Sequence, residues 1–70
     1  MLIKDEVERW IKTNRLVRLE ILKGRGVRQM ILGRIIRYDE PENTLLIYHE
    51  DEKNVRNLRL NQIETIQAAD

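Results

Sequence analysis

The first apolar positions recur every three or four residues: Ile3, Val7, Trp10 and Ile11, with Asn14 next in the series. That period places one apolar stripe on a short helix and predicts it over about residues 3–13. Asp5, Glu6 and Glu8 fall toward its start and Arg9 and Lys12 toward its end, as the helix dipole favours. Asp5 with Arg9, and Glu8 with Lys12, also have i,i+4 spacing. Asn14 is a credible stop. Three turns do not hold a helix alone, so Val7 and Trp10 must dock on the rest of the chain.

From Leu16 the period falls to two. Val17, Leu19 and Ile21 alternate with Arg18 and Glu20, the pattern of a half-buried strand. "KGRG" (Lys23–Gly26) is a turn. The run that follows is apolar on both parities, with Val27, Ile31 and Ile35 on one and Met30, Leu32, Ile36 and Tyr38 on the other. A strand that serves two faces in turn is bent, and Gly33 is where a bend costs least. "DEPEN" closes this second strand. "TLLIYHE" forms a third, "DEKN" turns, and "VRNLRL" forms a fourth. Asn61 starts a single helical turn, a last short strand runs through Ile66, and residues 68–70 are expected to fray. A helix followed by five short strands with brief connections predicts a mainly β fold. The economical form is a small five-stranded antiparallel barrel of SH3-like or Sm-like type, capped by the helix. Residues 1–70 read as one domain.

Composition narrows the classes. Seventy residues bury a small core, and the chain has no cysteine, so a disulfide or thiolate metal site is excluded. The single histidine, His49, lies beside "EDE" and reads as a surface group, so neither a metal nor a cofactor is expected. The opening "MLIKDEVERW" is not a secretory leader, and no apolar run is long enough to cross a bilayer. The lack of cysteine fits a reducing cytoplasm. Net charge is +1, but it is unevenly spread. Residues 15–37 hold seven cations against Glu20, a local balance of +6, whereas residues 39–54 hold six carboxylates against Lys53, a balance of −5. This asymmetry suits an anionic ligand on the basic side, or the basic edge of one copy meeting the acidic edge of another.

Two family patterns resemble the chain. The first Sm motif of Sm-like RNA-binding barrels has a glycine, an apolar residue at +2, an aromatic at +5, an aspartate at +6 and an asparagine at +10. Gly33, Ile35, Tyr38, Asp39 and Asn43 stand at those positions. The second Sm motif resembles "LRLNQI" (Leu58–Ile63), with Arg59 at its arginine, but Leu60 replaces its glycine. The chain also resembles the YolD-like family of small bacterial proteins over nearly its whole length. The shared features are an opening helix, Gly26 seven residues before Gly33, "YDEPENTLLI", and the closing "LRLNQIETI". The resemblance implies an Sm-like barrel in a bacterial or prophage setting and carries no established activity.

Each functional signal has a structural competitor. In Sm-like RNA binders, the loop aspartate and asparagine hold a base on which a residue between them stacks. Here Glu40, Pro41 and Glu42 fill that interval, and two carboxylates repel phosphate. Turn chemistry is the stronger reading of these residues. Pro41 presets the second turn position, Asp39 accepts from the Glu42 N–H, and Asn43 tolerates a left-handed backbone. The arginines speak more for nucleic acid. Nine of thirteen cations are arginine, suited to bidentate phosphate contacts. Arg18, Arg28, Arg34 and Arg37 fall where one exposed stripe can form, and Asn43 and Arg59 complete the candidate nucleic-acid-binding set. Pairing with Glu20 is the competing use of these cations. Gly26, Gly33, Asp39, Pro41 and Asn43 are the expected turn-forming residues. No serine, cysteine or phosphate-binding glycine loop occurs, and the carboxylates lie on hydrophilic turns, so an enzyme is not expected. The leading expectation is a non-enzymatic module that binds single-stranded RNA or DNA, with homo-oligomer formation. The alternative is a protein-interaction or regulatory adaptor docking on a larger bacterial partner.

Overall fold

The computed structural model describes residues 4–69. Helix α1 (Lys4–Thr13) is followed by strands β1 (Leu16–Leu22), β2 (Arg28–Asp39), β3 (Thr44–His49), β4 (Asn54–Arg59) and β5 (Ile63–Ala68). A 3-10 turn, Leu60–Gln62, joins the last two strands. The helix and five antiparallel strands are those the sequence predicts. Ile3, the expected first residue of the helix, lies outside the described residues.

Helix α1 ends as its sequence requires. Asn14 adopts a left-handed φ of 52°. The Arg15 N–H donates to the Trp10 carbonyl at 3.0 Å and the Asn14 N–H to the Ile11 carbonyl at 3.2 Å, which satisfies two otherwise orphaned carbonyls. Val7 is fully buried, with Trp10 and Ile11 packed half-buried beside it. The helix lies along the C-terminal half of β2, because Lys4 Nζ bonds Glu40 at 3.0 Å and Arg34 bonds the Asn14 carbonyl at 2.6 Å. Neither of the expected i,i+4 pairs forms. Lys4 takes its partner from the β2–β3 turn instead.

All four ladders are antiparallel, and the strand order is β4-β3-β2-β1-β5. The expected barrel is therefore not closed: β4 and β5 are the two edges, with no ladder between them among the described residues. The sheet is nevertheless strongly curled. Edge strands of a flat five-stranded sheet lie about 19 Å apart, at roughly 4.8 Å per strand. The three residues linking β4 to β5 reach no more than about 14 Å. The two edges converge at Leu60–Gln62 without pairing.

The core lies inside the curl. Val17, Leu19 and Ile21 of β1, Ile31 and Ile35 of β2, Leu45 and Ile47 of β3, and Leu58 of β4 are buried together with Val7. The two apolar parities of β2 serve the core in succession, as expected of a bent strand, with Ile31 and Ile35 before a bulge and Tyr38, of the other parity, after it. Only one parity is core as far as Ile35, and Val27 and Met30 are exposed. The ladder then slips between Ile35 and Arg37, leaving Ile36 as an unpaired extra residue that is also exposed. The bulge therefore sits at Ile36, not Gly33. Gly33 is not a turn residue either. It is buried mid-strand, paired with Val17 on one side and His49 on the other. A Cβ there would overlap the Tyr48 carbonyl oxygen, so glycine serves a close backbone approach.

Two further expectations are corrected. His49 is buried, 3% exposed, because the alternation Leu45, Ile47, His49 carries it to the inner face opposite Gly33. Its Nδ1 makes no hydrogen bond and lies 3.4 Å from a Glu52 carboxylate oxygen. The tail is docked through Ala69 where fraying was expected, with Ala68 paired to Val17 and the Ala69 N–H donating to the Leu16 carbonyl at 2.9 Å, while Asp70 lies outside the described residues.

Candidate nucleic-acid interface

The turns behave as their residues dictate. In the β1–β2 turn the Val27 N–H donates to Gly24, and the two residues between, Arg25 and Gly26, have φ of 54° and 76°. Positive φ at both central positions matches strand twist, and glycine at the second holds it without strain. In the β2–β3 turn the Asn43 N–H donates to the Glu40 carbonyl at 3.1 Å, which puts Pro41 at the second position. The Glu42 N–H donates to Asp39 Oδ1 at 3.3 Å, and Asn43 has φ of 60°. The turn roles of Gly26, Asp39, Pro41 and Asn43 thus match expectation.

Arg18, Arg28 and Arg34 project on the outer face, opposite the buried parity of β1 and β2, and Arg37, which shares the buried parity, is turned to that face by the ladder slip after Ile35 and pairs with Leu46. They are not equivalent. Arg28 reaches Glu64 at 3.4 Å, and Arg37 lies 3.9 Å from Asp39. Arg34 bonds Glu50 at 3.3 Å as well as the Asn14 carbonyl. None pairs with Glu20, the partner considered from sequence. Arg18 has no acidic partner among the described residues and stands exposed opposite Leu32.

Asn43 and Arg59 are brought together. Thr44 pairs with Arg59 across β3 and β4, and the Leu60 N–H donates to the Asn43 carbonyl at 2.9 Å. Both residues line a polar cleft of about 550 Å³, with Asn57, Asn61, Gln62 and Glu42 on its walls. Gln62 Oε1 accepts from the Arg59 N–H at 3.1 Å, which leaves its NH₂ group free to donate elsewhere. Asn57, Asn61 and Gln62 had no signal marking them in advance, since amides on strand ends and turns are ordinary. Only the meeting of the β2–β3 turn with the end of β4 assembles them.

No family model, curated protein or solved structure matches the chain.

The cleft is therefore judged by its own chemistry. It offers one guanidinium and several amides able to donate and accept, set beside the carboxylate of Glu42. A neighbouring cleft of about 650 Å³ shares Asn43 and Asn61 and is lined by Tyr38, Leu60, Ile63 and Ile66. Where the Sm pattern has glycine, Leu60 is half-buried and packs against the core. No group of three or more potential metal ligands occurs among the described residues. No helix there is long and apolar enough to cross a membrane.

Proposed function

We propose that this chain is a non-enzymatic nucleic-acid-binding module of Sm-like type, taking single-stranded RNA or DNA across the β2–β4 end of its outer face. The observation that supports the reading is the convergence of Asn43 and Arg59, sixteen residues apart, on one cleft. Arginine supplies a forked donor for phosphate, and the amides supply donors and acceptors for base edges. Arg18, without an acidic partner among the described residues, extends the cationic surface. The test is retention of labelled single-stranded RNA and DNA by the purified protein at low salt. Binding should weaken steeply as salt rises, since phosphate contacts release counterions. Arg59→Ala should lower affinity at all salt concentrations and flatten the salt slope. A protein that holds neither strand type at low salt rules the proposal out.

A second reading has its own observation in favour. The edges of β4 and β5 are unpaired among the described residues, and an open edge can receive a strand from another protein or another copy. This reading expects a partner whose capture survives nuclease treatment. Mass in solution separates self-association from a foreign partner.

A further inference from the structure

The two adjoining clefts differ in the chemistry they offer. The polar cleft contains Arg59, the only cation on either set of walls. Its neighbour has no cation. Its apolar floor is Tyr38, Leu60, Ile63 and Ile66, all half-buried against the core, with Thr65 at the rim. Glu64, also at that rim, is already engaged by Arg28. A phosphate gains nothing on such a floor, whereas a planar ring gains burial and the company of an aromatic side chain. Asn43 and Asn61 line both clefts and stand where the two chemistries meet.

We propose that the paired clefts form a seat for one nucleotide of a single strand, its base in the Tyr38 cleft and its phosphate beside Arg59. Asn43 and Asn61, at the junction, carry the donors and acceptors that read the base edge. The inference rests on the nucleic-acid reading above and adds to it a division of labour. Base affinity belongs to the Tyr38 side and salt dependence to the Arg59 side. Glu42, on the phosphate side, opposes binding.

The test compares a single-stranded RNA hexamer with a base-free hexamer of the same sugar-phosphate backbone. Loss of the bases should weaken binding about tenfold, the order expected for stacking one base. Thr65→Trp fills the base cleft from an exposed position. It should impose a similar loss on the intact hexamer and none on the base-free one. Arg59→Ala should weaken both, and Glu42→Gln should strengthen both. On the unmodified protein, which removes any question of folding, the intact hexamer should shift the backbone amide resonances of residues 63–66. The base-free hexamer should leave them in place. Equal affinity for the two hexamers, or silent resonances at residues 63–66 with the intact one, overturns the nucleotide seat but leaves nucleic-acid binding standing. Failure of every strand to bind at low salt overturns both. Deoxyribose hexamers run in parallel show which sugar the seat prefers.

Discussion

The inner and outer faces of the sheet follow different rules. On the inner face, position is decided by burial: eight apolar strand residues join Val7 of α1 in the core, and the one buried polar side chain among the described residues, His49, is carried in by alternation alone. On the outer face, partners decide. Arg34 is pinned between Glu50 and the end of α1, Arg28 and Arg37 stand against carboxylates, and Arg18 is unclaimed by acid. Counting arginines therefore overstates the cationic surface open to a ligand. Arg34, half-buried and bonded twice, is occupied in holding its own structure, whereas the pairs made by Arg28 and Arg37 are exposed and weak.

The contrast can be broken most severely at Gly33. Gly33→Ala forces Cβ into the Tyr48 backbone, where no flexible side chain can yield. A loss of about 3 kcal/mol or more is expected, read by urea unfolding. For a domain this small that is a large fraction of the total. The next test concerns His49, whose Nδ1 is buried without a hydrogen bond. Replacing it by leucine removes the unsatisfied atom and should raise stability by about 1 kcal/mol. A loss of similar size would show instead that the Glu52 carboxylate, 3.4 Å away, satisfies the ring.

Outer-face arginines give smaller effects. Arg34→Ala should cost about 1 kcal/mol, because a charged bond to the Asn14 carbonyl is lost from a half-exposed site. Arg18→Ala should change stability by less than about 0.5 kcal/mol while weakening nucleic-acid binding. Equal destabilisation by the two would erase the distinction between pinned and unclaimed cations.

The smallest effect is at Lys4. Its hydrogen bond and attraction to Glu40, helped by Glu8, hold the ammonium above its ordinary 10.5. A raised lysine contributes stability that is fully present below the unfolded value and is lost as pH rises through the folded one. The difference between the wild-type chain and Lys4→Met should therefore stay constant between about pH 6 and 9 and shrink only above 10.5. It should be slight throughout, since both partners are solvated and screened by salt.

What could be read in advance was local. Asn14 as a stop and Asp39–Pro41–Asn43 as a turn are set by the residues themselves, so their bonds and φ values agree with expectation. The helix-then-strands plan followed from period and spacing. Features that depend on distant pairing were less visible. Ile35 and Ile36 are equally apolar, so nothing local says which is surplus to the ladder. Gly33 has a reason only once Tyr48 lies beside it. The period-two signal for His49 was present in Leu45 and Ile47, but the acidic run after it disguised a buried position as a surface one. The candidate site is the extreme case. Asn43 and Arg59 could be named singly, while Asn57, Asn61 and Gln62 acquire meaning only from a bond between a turn and a strand end.

The strand order also bears on how the chain folds. One of the two neighbours of β1 is β5, which lies beyond β2, β3 and β4 along the chain, and the Leu16 carbonyl is met by the Ala69 N–H. Until β5 docks, β1 has an unsatisfied flank and the core lacks Ile63 and Ile66 along one side. Pairing across so long a separation forms slowly, so the open flank of β1 is where partly folded copies adhere to one another until β5 closes it.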